Sequence, residues 1–198
     1  ILHDVSAKFY SGKTNLIIGQ SGSGKTVLMK CLVGLLRPDQ GKILYDGRDV
    51  MAMTPAQTKV LRTEIGMLFQ GSALFDSETV LGNVMFPLRM FTRDNYATCK
   101  KRAEFCLERV NLKGVNDLYP SEISGGMQKR VAIARAIALN PKYLFCDEPN
   151  SGLDPQTSIV IDNLIHEITE EYNITTIINT HDMNSVMEIG QKIVYIYK

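Results

Sequence analysis

Gly19-Gln20-Ser21-Gly22-Ser23-Gly24-Lys25-Thr26 matches the phosphate-loop pattern Gly-x-x-x-x-Gly-Lys-Ser/Thr at every fixed position. Ahead of it, Asn15-Leu16-Ile17-Ile18 is an apolar run of strand length. Behind it, Val27, Leu28, Cys31, Leu32 and Leu35 recur at helical spacing. Glycines between a strand and a helix let the backbone curl so that its N–H groups face inward, and the helix N-terminus adds partial positive charge. The matching ligand is a triphosphate. Gly19, Gln20, Ser21, Gly22, Ser23 and Gly24 are expected to cradle it, Lys25 to reach its β- and γ-phosphates, and the Thr26 hydroxyl to ligate Mg²⁺. A Gly/Ser-rich surface turn is the plainer reading, and it leaves the flanks and the Lys-Thr ending unexplained.

The rest of the chain bounds the answer. Its 198 residues suit one domain, with at most a subdomain. A net charge of +1 gives no electrostatic footprint for nucleic acid. No apolar run approaches the roughly 20 residues of a membrane span, so a membrane role has to come through a partner. Cys31, Cys99, Cys106 and Cys146 form no Cys-x-x-Cys pair and no cluster with histidine. Free thiols in a reducing compartment are the simplest account of them. The chain opens on Ile1 rather than Met and stops in the apolar run Ile193-Val194-Tyr195-Ile196-Tyr197, so it reads as a portion of a longer protein.

Periodicity lays out the elements. Residues 1–11 read as a strand and turn, and Pro38 is expected to end the helix behind the phosphate loop. Residues 42–50 read as a small antiparallel hairpin around Asp46-Gly47. Thr54-Pro55 opens a short helix, and Ile65 to Phe69 is a strand closed by Gln70-Gly71. Residues 71–120 show no strand and read as a mostly helical insertion, part of a helical subdomain of about 71–140, with one helix from about Asn95 to Val110. The apolar residues of 84–91 are either local core or a docking surface. From Ser124, which can cap a helix with Val131, Ala134, the stem of Arg135 and Ala138 on one face, strand and helix alternate again. Tyr143 to Cys146 and Thr175 to Asn179 are strands, and Asp154-Pro155 starts a helix striped by Ile161, Leu164, Ile165, Ile168 and Tyr172. The class is therefore α/β: a P-loop NTPase fold with a mainly parallel sheet, flanking helices, a small antiparallel β subdomain and a helical insertion.

Three further stretches carry chemistry. Asp147 and Glu148 follow the apolar strand Leu144-Phe145-Cys146, where ligands of such sheets sit. Asp147 is expected to hold Mg²⁺, and Glu148 to orient or deprotonate the attacking water. Gln70 and His181 also follow strands. Gln70 is a candidate for Mg²⁺ or water, and His181 for the γ-phosphate; taken singly each reads as an ordinary loop residue. Ser124, Gly125 and Gly126 open a helix and make a second anion site. Two phosphate-binding helix starts on one chain imply two nucleotides, or one nucleotide held between two chains.

The order phosphate loop, Gln70, Ser124-Gly125-Gly126, Asp147-Glu148, Ser151-Gly152-Leu153-Asp154, His181 resembles the ATP-binding-cassette (ABC) ATPase family over nearly the whole chain. The resemblance implies a head-to-tail dimer around two ATP, in which Gly19 to Thr26 of one chain and Ser124 to Gly126 of the other close on one γ-phosphate. It implies Glu148 as general base, His181 as switch histidine, Gln70 as the lid glutamine that senses a membrane partner, and Asp154 as the residue that signals across the dimer. Met127 stands where the family more often has Gln. With the stretches around Ala132 to Ala138 and Asp147 to Pro155, that feature is similar to ATPases of Mla-type phospholipid transport, which work with a permease and an Mce-domain lipid carrier. The family's adenine-stacking aromatic is expected before Ile1, and Tyr10 lies too near the loop for that role.

The expected function is ATP hydrolysis that powers a membrane permease, with ATP and Mg²⁺ as cofactors. The partners are a second copy of the cassette, the permease and an Mce-domain carrier, and no nucleic acid. The expected location is cytoplasmic, peripheral to the inner membrane through the permease. A soluble relative acting on ribosomes or DNA, and an importer of amino acids or metals, are the rival readings.

Overall fold

The computed structural model describes residues 2–197. Its strands are β1 (Thr14–Gly19), β2 (Leu44–Tyr45), β3 (Arg48–Asp49), β4 (Ile65–Leu68), β5 (Tyr143–Asp147), β6 (Thr175–Asn179) and β7 (Lys192–Ile196). Its α-helices are α1 (Lys25–Leu32), α2 (Pro55–Thr63), α3 (Val80–Phe91), α4 (Tyr96–Arg109), α5 (Gly125–Ile137), α6 (Pro155–Glu171) and α7 (Met183–Ile189). Five strands form one sheet in the order β4-β5-β6-β1-β7, all parallel, and β2 and β3 pair separately as an antiparallel hairpin. Because β1 lies between β6 and β7, the phosphate loop leaves an interior strand.

Burial on both faces is what a parallel sheet needs, and the central strands supply it: every residue of β5 and β6 is buried. Side chains alternate between two cores, as a period of two dictates. Leu16, Leu144, Cys146 and Ile178 join the core built with α3 to α6. Ile17, Tyr143, Phe145 and Ile177 join the smaller core under the hairpin, with Met29, Tyr45 and Leu61. Each such fully buried side chain contributes about 1.5–3 kcal/mol relative to leaving it in water. The chain between β4 and β5 is helical: α3, α4 and α5 pack on one another. Residues 84–91 divide by face within α3, with Val84, Met85 and Leu88 buried and Met90 exposed. All four cysteines are free and buried. Burial pushes the Cys106 thiol up to about 11 and the Cys146 thiol higher still.

Three expectations are corrected. Residues 2–10 hold no strand, and the chain turns at Ser11-Gly12 before β1. Leu2 and Phe9 rest on the smaller core, and the segment has no ladder partner among the described residues. Ile1, where that strand was expected to begin, lies outside the described residues. Helix α1 ends at Leu32, well before Pro38, because Gly34 takes a left-handed φ of +76° and returns the chain, with Leu35 N–H donating to the Lys30 carbonyl. Leu35 therefore leaves the helix and is exposed. Tyr172 caps α6 rather than extending its buried stripe. The helix starts expected at Thr54, Ser124 and Asp154 are all found, each capped by that residue's side chain.

Candidate functional site

The phosphate loop is shaped by contacts that its glycines alone allow. Gly19 ends β1 beside Ile196 of β7, and a Cβ there would stand 2.2 Å from the Ile196 carbonyl oxygen. Gly24 takes φ +100° immediately before α1. Six of the seven α-helices in the described residues are capped by a side chain, and α1 by none, so its first N–H groups stay open toward the loop. Lys25 Nζ donates to the carbonyls of Gly19 (2.9 Å) and Gln20 (3.2 Å), which folds the ammonium over the loop. Ser23 Oγ is buried with no hydrogen-bond partner. An uncapped helix start, a buried ammonium and an orphaned hydroxyl fit a phosphate chain.

Beside the loop, the ends of β5 and β6 converge on the first turn of α1. Asn179, at the end of β6, donates from Nδ2 to Asp147 Oδ1 (2.5 Å) and to Thr26 Oγ1 (3.2 Å), while Thr26 Oγ1 lies 3.4 Å from Asp147 Oδ1. Asn179 Oδ1 is buried and unpartnered. Thr26 and Asp147 are thus brought together as expected, and hard oxygen donors of this kind suit Mg²⁺. No cluster of three His, Cys, Asp or Glu able to hold a metal occurs among the described residues, so such an ion would depend on the phosphates for its other ligands. Asn179 is the member that the sequence reading left without a role. Its signal was a polar residue closing the apolar run Thr176-Ile177-Ile178 in register with Asp147.

Glu148 sits at φ +49°, a left-handed conformation that costs a non-glycine residue about 1–2 kcal/mol. It is held by its own N–H donating to the Asn179 carbonyl (2.9 Å) and by Ser151 N–H donating to the Glu148 carbonyl (3.1 Å). Its Oε2 lies 2.7 Å from His181 Nδ1, with the carboxylate largely covered and the imidazole mostly exposed. These two expected residues therefore meet each other. A cleft of about 450 Å³ opens beside them, lined by Ser151, Leu153, Asp162 and Asp182 among others. Gln70, two residues beyond β4, is exposed, and its main-chain carbonyl accepts hydrogen bonds from Lys129 Nζ and Ser151 Oγ (3.1 Å).

The Ser124–Gly126 helix start, the second expected anion site, does not meet the phosphate loop of its own chain. Ser124 Oγ accepts from Met127 N–H (3.3 Å), and Ser124 and Gly125 are exposed. A Cβ at Gly126 would come 2.7 Å from Thr157 Cγ2, and one at Gly125 would meet only Leu153 within 4 Å. The Ser124–Gly126 turn therefore abuts the start of α6, not the Gly19–Thr26 loop of its own chain. Asp154 caps the same helix, accepting from Thr157 N–H (3.0 Å) and Thr157 Oγ1 (2.5 Å), and those bonds hold its carboxyl below the usual aspartate value.

A phosphate loop on an interior strand of a parallel sheet, with Thr26 in the first turn of the helix behind it and Asp147 and Glu148 at the C-terminal end of β5, defines a P-loop nucleotide-binding protein. The model of the ABC transporter family matches residues 2–151, and the chain belongs to that family. It is 44% identical over 192 residues to the methionine import ATP-binding protein MetN of Carboxydothermus hydrogenoformans, covering 96% of this chain and 56% of that protein. It is 41% identical over 190 residues to the intermembrane phospholipid transport system ATP-binding protein MlaF of Haemophilus influenzae, covering 96% and 72%. Among solved structures, the dimeric post-hydrolysis state of the ATP-binding cassette MJ0796 bound to ADP and Pi superposes with a TM-score of 0.88 at 34% identity, over 98% of this chain and 85% of that one. The chain thus spans about half the length of MetN.

Proposed function

We propose that this cassette hydrolyses ATP as a head-to-tail dimer and so drives a membrane permease. The observation that carries the reading is the separation of the two anion sites: Ser124–Gly126 stands exposed against Thr157, away from the Gly19–Thr26 loop it would have to complete. Two copies in opposite orientation bring each half to the other. A dimeric cassette among the structural relatives supports this arrangement. No helix of the described residues is long and apolar enough to cross a membrane, so the permease is a separate chain or segment.

Within each site the loop N–H groups and Lys25 bind the triphosphate. Thr26, Asp147 and Gln70 would hold Mg²⁺, which would supply neutralising charge to the triphosphate. Asn179 orients Asp147 and Thr26 through its two hydrogen bonds. Glu148 accepts the proton of the attacking water, and its contact with His181 keeps that carboxylate aimed. Asp154, exposed at the start of α6, is placed to meet the partner copy. Loss of the γ-phosphate removes the group that both halves grip, and the dimer opens.

The cargo we assign is phospholipid, with an Mce-domain carrier as a further partner and the cassette on the cytoplasmic face of the inner membrane. Support comes from Met127 in the Ser124–Gly126 helix start and from the 72% coverage of MlaF. The identity to MetN favours a second reading, import of an amino acid. Purification of the native complex decides between them. A phospholipid-bearing carrier subunit is expected, and an amino-acid permease without lipid would overturn the assignment.

A further inference from the structure

We propose that Lys129 is a positioning residue for hydrolysis: its buried ammonium ties the backbone of Gln70 and the segment before Asp154 to the helix that begins at Ser124–Gly126. The proposal rests on the ATPase reading above. Lys129 lies on α5 and is only 4% exposed. Its Nζ donates to the Gln70 carbonyl. Ser151 Oγ donates to that same carbonyl at 3.1 Å and lies 3.5 Å from Nζ. One carbonyl oxygen thus joins three segments: the chain after β4, the chain after β5, and α5. Both of its lone pairs are used, which fixes the direction of the Gln70 backbone.

Stability alone does not account for a cation here. A buried ammonium among neutral oxygens loses its hydration, and burial holds the Lys129 pKa below the ordinary lysine value. A methionine of similar length would fill the space without that cost. What the ammonium adds is a directed bond to Gln70. The same helix makes a second grip further along, where Arg135 donates to the carbonyls of Ser72 and Ala73, both at 2.7 Å. Those two residues are consecutive left-handed positions, at φ +61° and +48°, which need outside support. Residues 70–73 are therefore carried by α5. On the other side of Ser151, Asn150 Nδ2 donates to Ser185 Oγ of α7 at 3.1 Å, and α7 follows His181. A movement of α5 that brings Ser124–Gly126 onto a partner's nucleotide moves Gln70 and Ser151 with it. Closure of the dimer and placement of the site's glutamine become one event.

The test uses the full-length protein in its native complex, comparing Lys129→Met, Lys129→Gln, Ser151→Ala and the double variant Lys129→Met/Ser151→Ala. Lys129→Met is expected to lower kcat about tenfold, the rate equivalent of one charge-assisted hydrogen bond, with KM for ATP changed by less than about twofold. Lys129→Gln, whose amide still donates, is expected to recover most of that loss. The double variant is expected to be about as slow as Lys129→Met alone, because both singles break one node. Hydrogen exchange of the Ser72 and Ala73 amides should quicken in Lys129→Met while β1 stays protected, a change that a merely packed side chain would not produce. Wild-type kcat in Lys129→Met, equal loss in Lys129→Gln, or losses that multiply in the double variant would each overturn the assignment. A native complex that hydrolyses no ATP at all overturns the ATPase reading and the role of Lys129 with it; a hydrolysing complex with an unaffected Lys129→Met overturns the role alone.

Discussion

Replacing Gly19 with alanine asks the sheet for room it does not have. A Cβ at Gly19 would sit 2.2 Å from the Ile196 carbonyl oxygen and 2.9 Å from Ser23 Oγ. Carbon and carbonyl oxygen approach without strain to about 3.3 Å, so β1 and β7 would have to part by about 1 Å at a point where they are paired in register. Overpacking of this kind costs about 1–3 kcal/mol. The backbone at φ +155° adds about 1–3 kcal/mol for any residue with a side chain. A total near 4 kcal/mol is a large part of the roughly 5–15 kcal/mol that holds a domain folded. At about 2–4 °C per kcal/mol for a chain of this length, the melting temperature falls by about 8–16 °C. Thermal unfolding of Gly19→Ala beside Gly71→Ala is the assay. A Cβ at Gly71 meets nothing within 4 Å, and that variant should stay within about 0.5 kcal/mol of wild type. If Gly19→Ala melts within about 2 °C of wild type, strand contact is not what forces glycine at this position.

Other outcomes follow from the same geometry. Glu148→Gln should lower kcat by about 10²–10⁴-fold while ATP still binds, as the loss of a general base does, and steady-state hydrolysis at the wild-type rate would remove Glu148 from that role. Asp162 is 3% exposed, and its Oδ1 is buried with no partner. Burial, reinforced by Asp182 and Glu188, raises its pKa against the bonds from Ser185 and Asn150. A carboxyl raised on folding stabilises below its ordinary value of 3.8, and that stability is lost as pH rises through the folded value. Asp162→Asn should therefore be more stable than wild type at pH 8 by about 1 kcal/mol, with the advantage shrinking toward pH 4; urea denaturation at the two pH values reads the difference. His181→Ala, which removes the imidazole 2.7 Å from Glu148 Oε2, should lower kcat more than it changes ATP affinity, and a pure affinity loss would detach it from the carboxylate.

How much of this was legible before the fold was known depends on how local each signal is. Strands β1, β5 and β6 are apolar runs closed by Gly19, Asp147 and Asn179, and helices α2, α5 and α6 start at Thr54-Pro55, Ser124 and Asp154-Pro155, caps that short-range chemistry decides. Gly34 outran Pro38 as the stop of α1 because a left-handed glycine ends a helix wherever its N–H can bond back, and that return is a three-dimensional fact. Residues 2–10 have strand-like composition but no neighbouring strand to pair with among the described residues. Within the candidate site, Thr26 and Asp147 were placed together by the rule that ligands sit beyond strand ends. Their link through Asn179 needed the order β5-β6-β1, which no single stretch encodes. The long cationic side chains were hidden in the same way. Arg135 reads as a stem on an apolar face, and only the packed chain shows its guanidinium at the carbonyls of Ser72 and Ala73.

The central claim is that each copy supplies half of its neighbour's nucleotide site. Sedimentation of the Glu148→Gln protein with and without ATP, alone and combined with Ser124→Arg, puts it to the test. The account predicts a dimer that forms only with ATP and is lost when Ser124 becomes arginine, although a monomer still binds nucleotide. A protein that stays monomeric with ATP, or that dimerises equally well with Ser124→Arg, would contradict it.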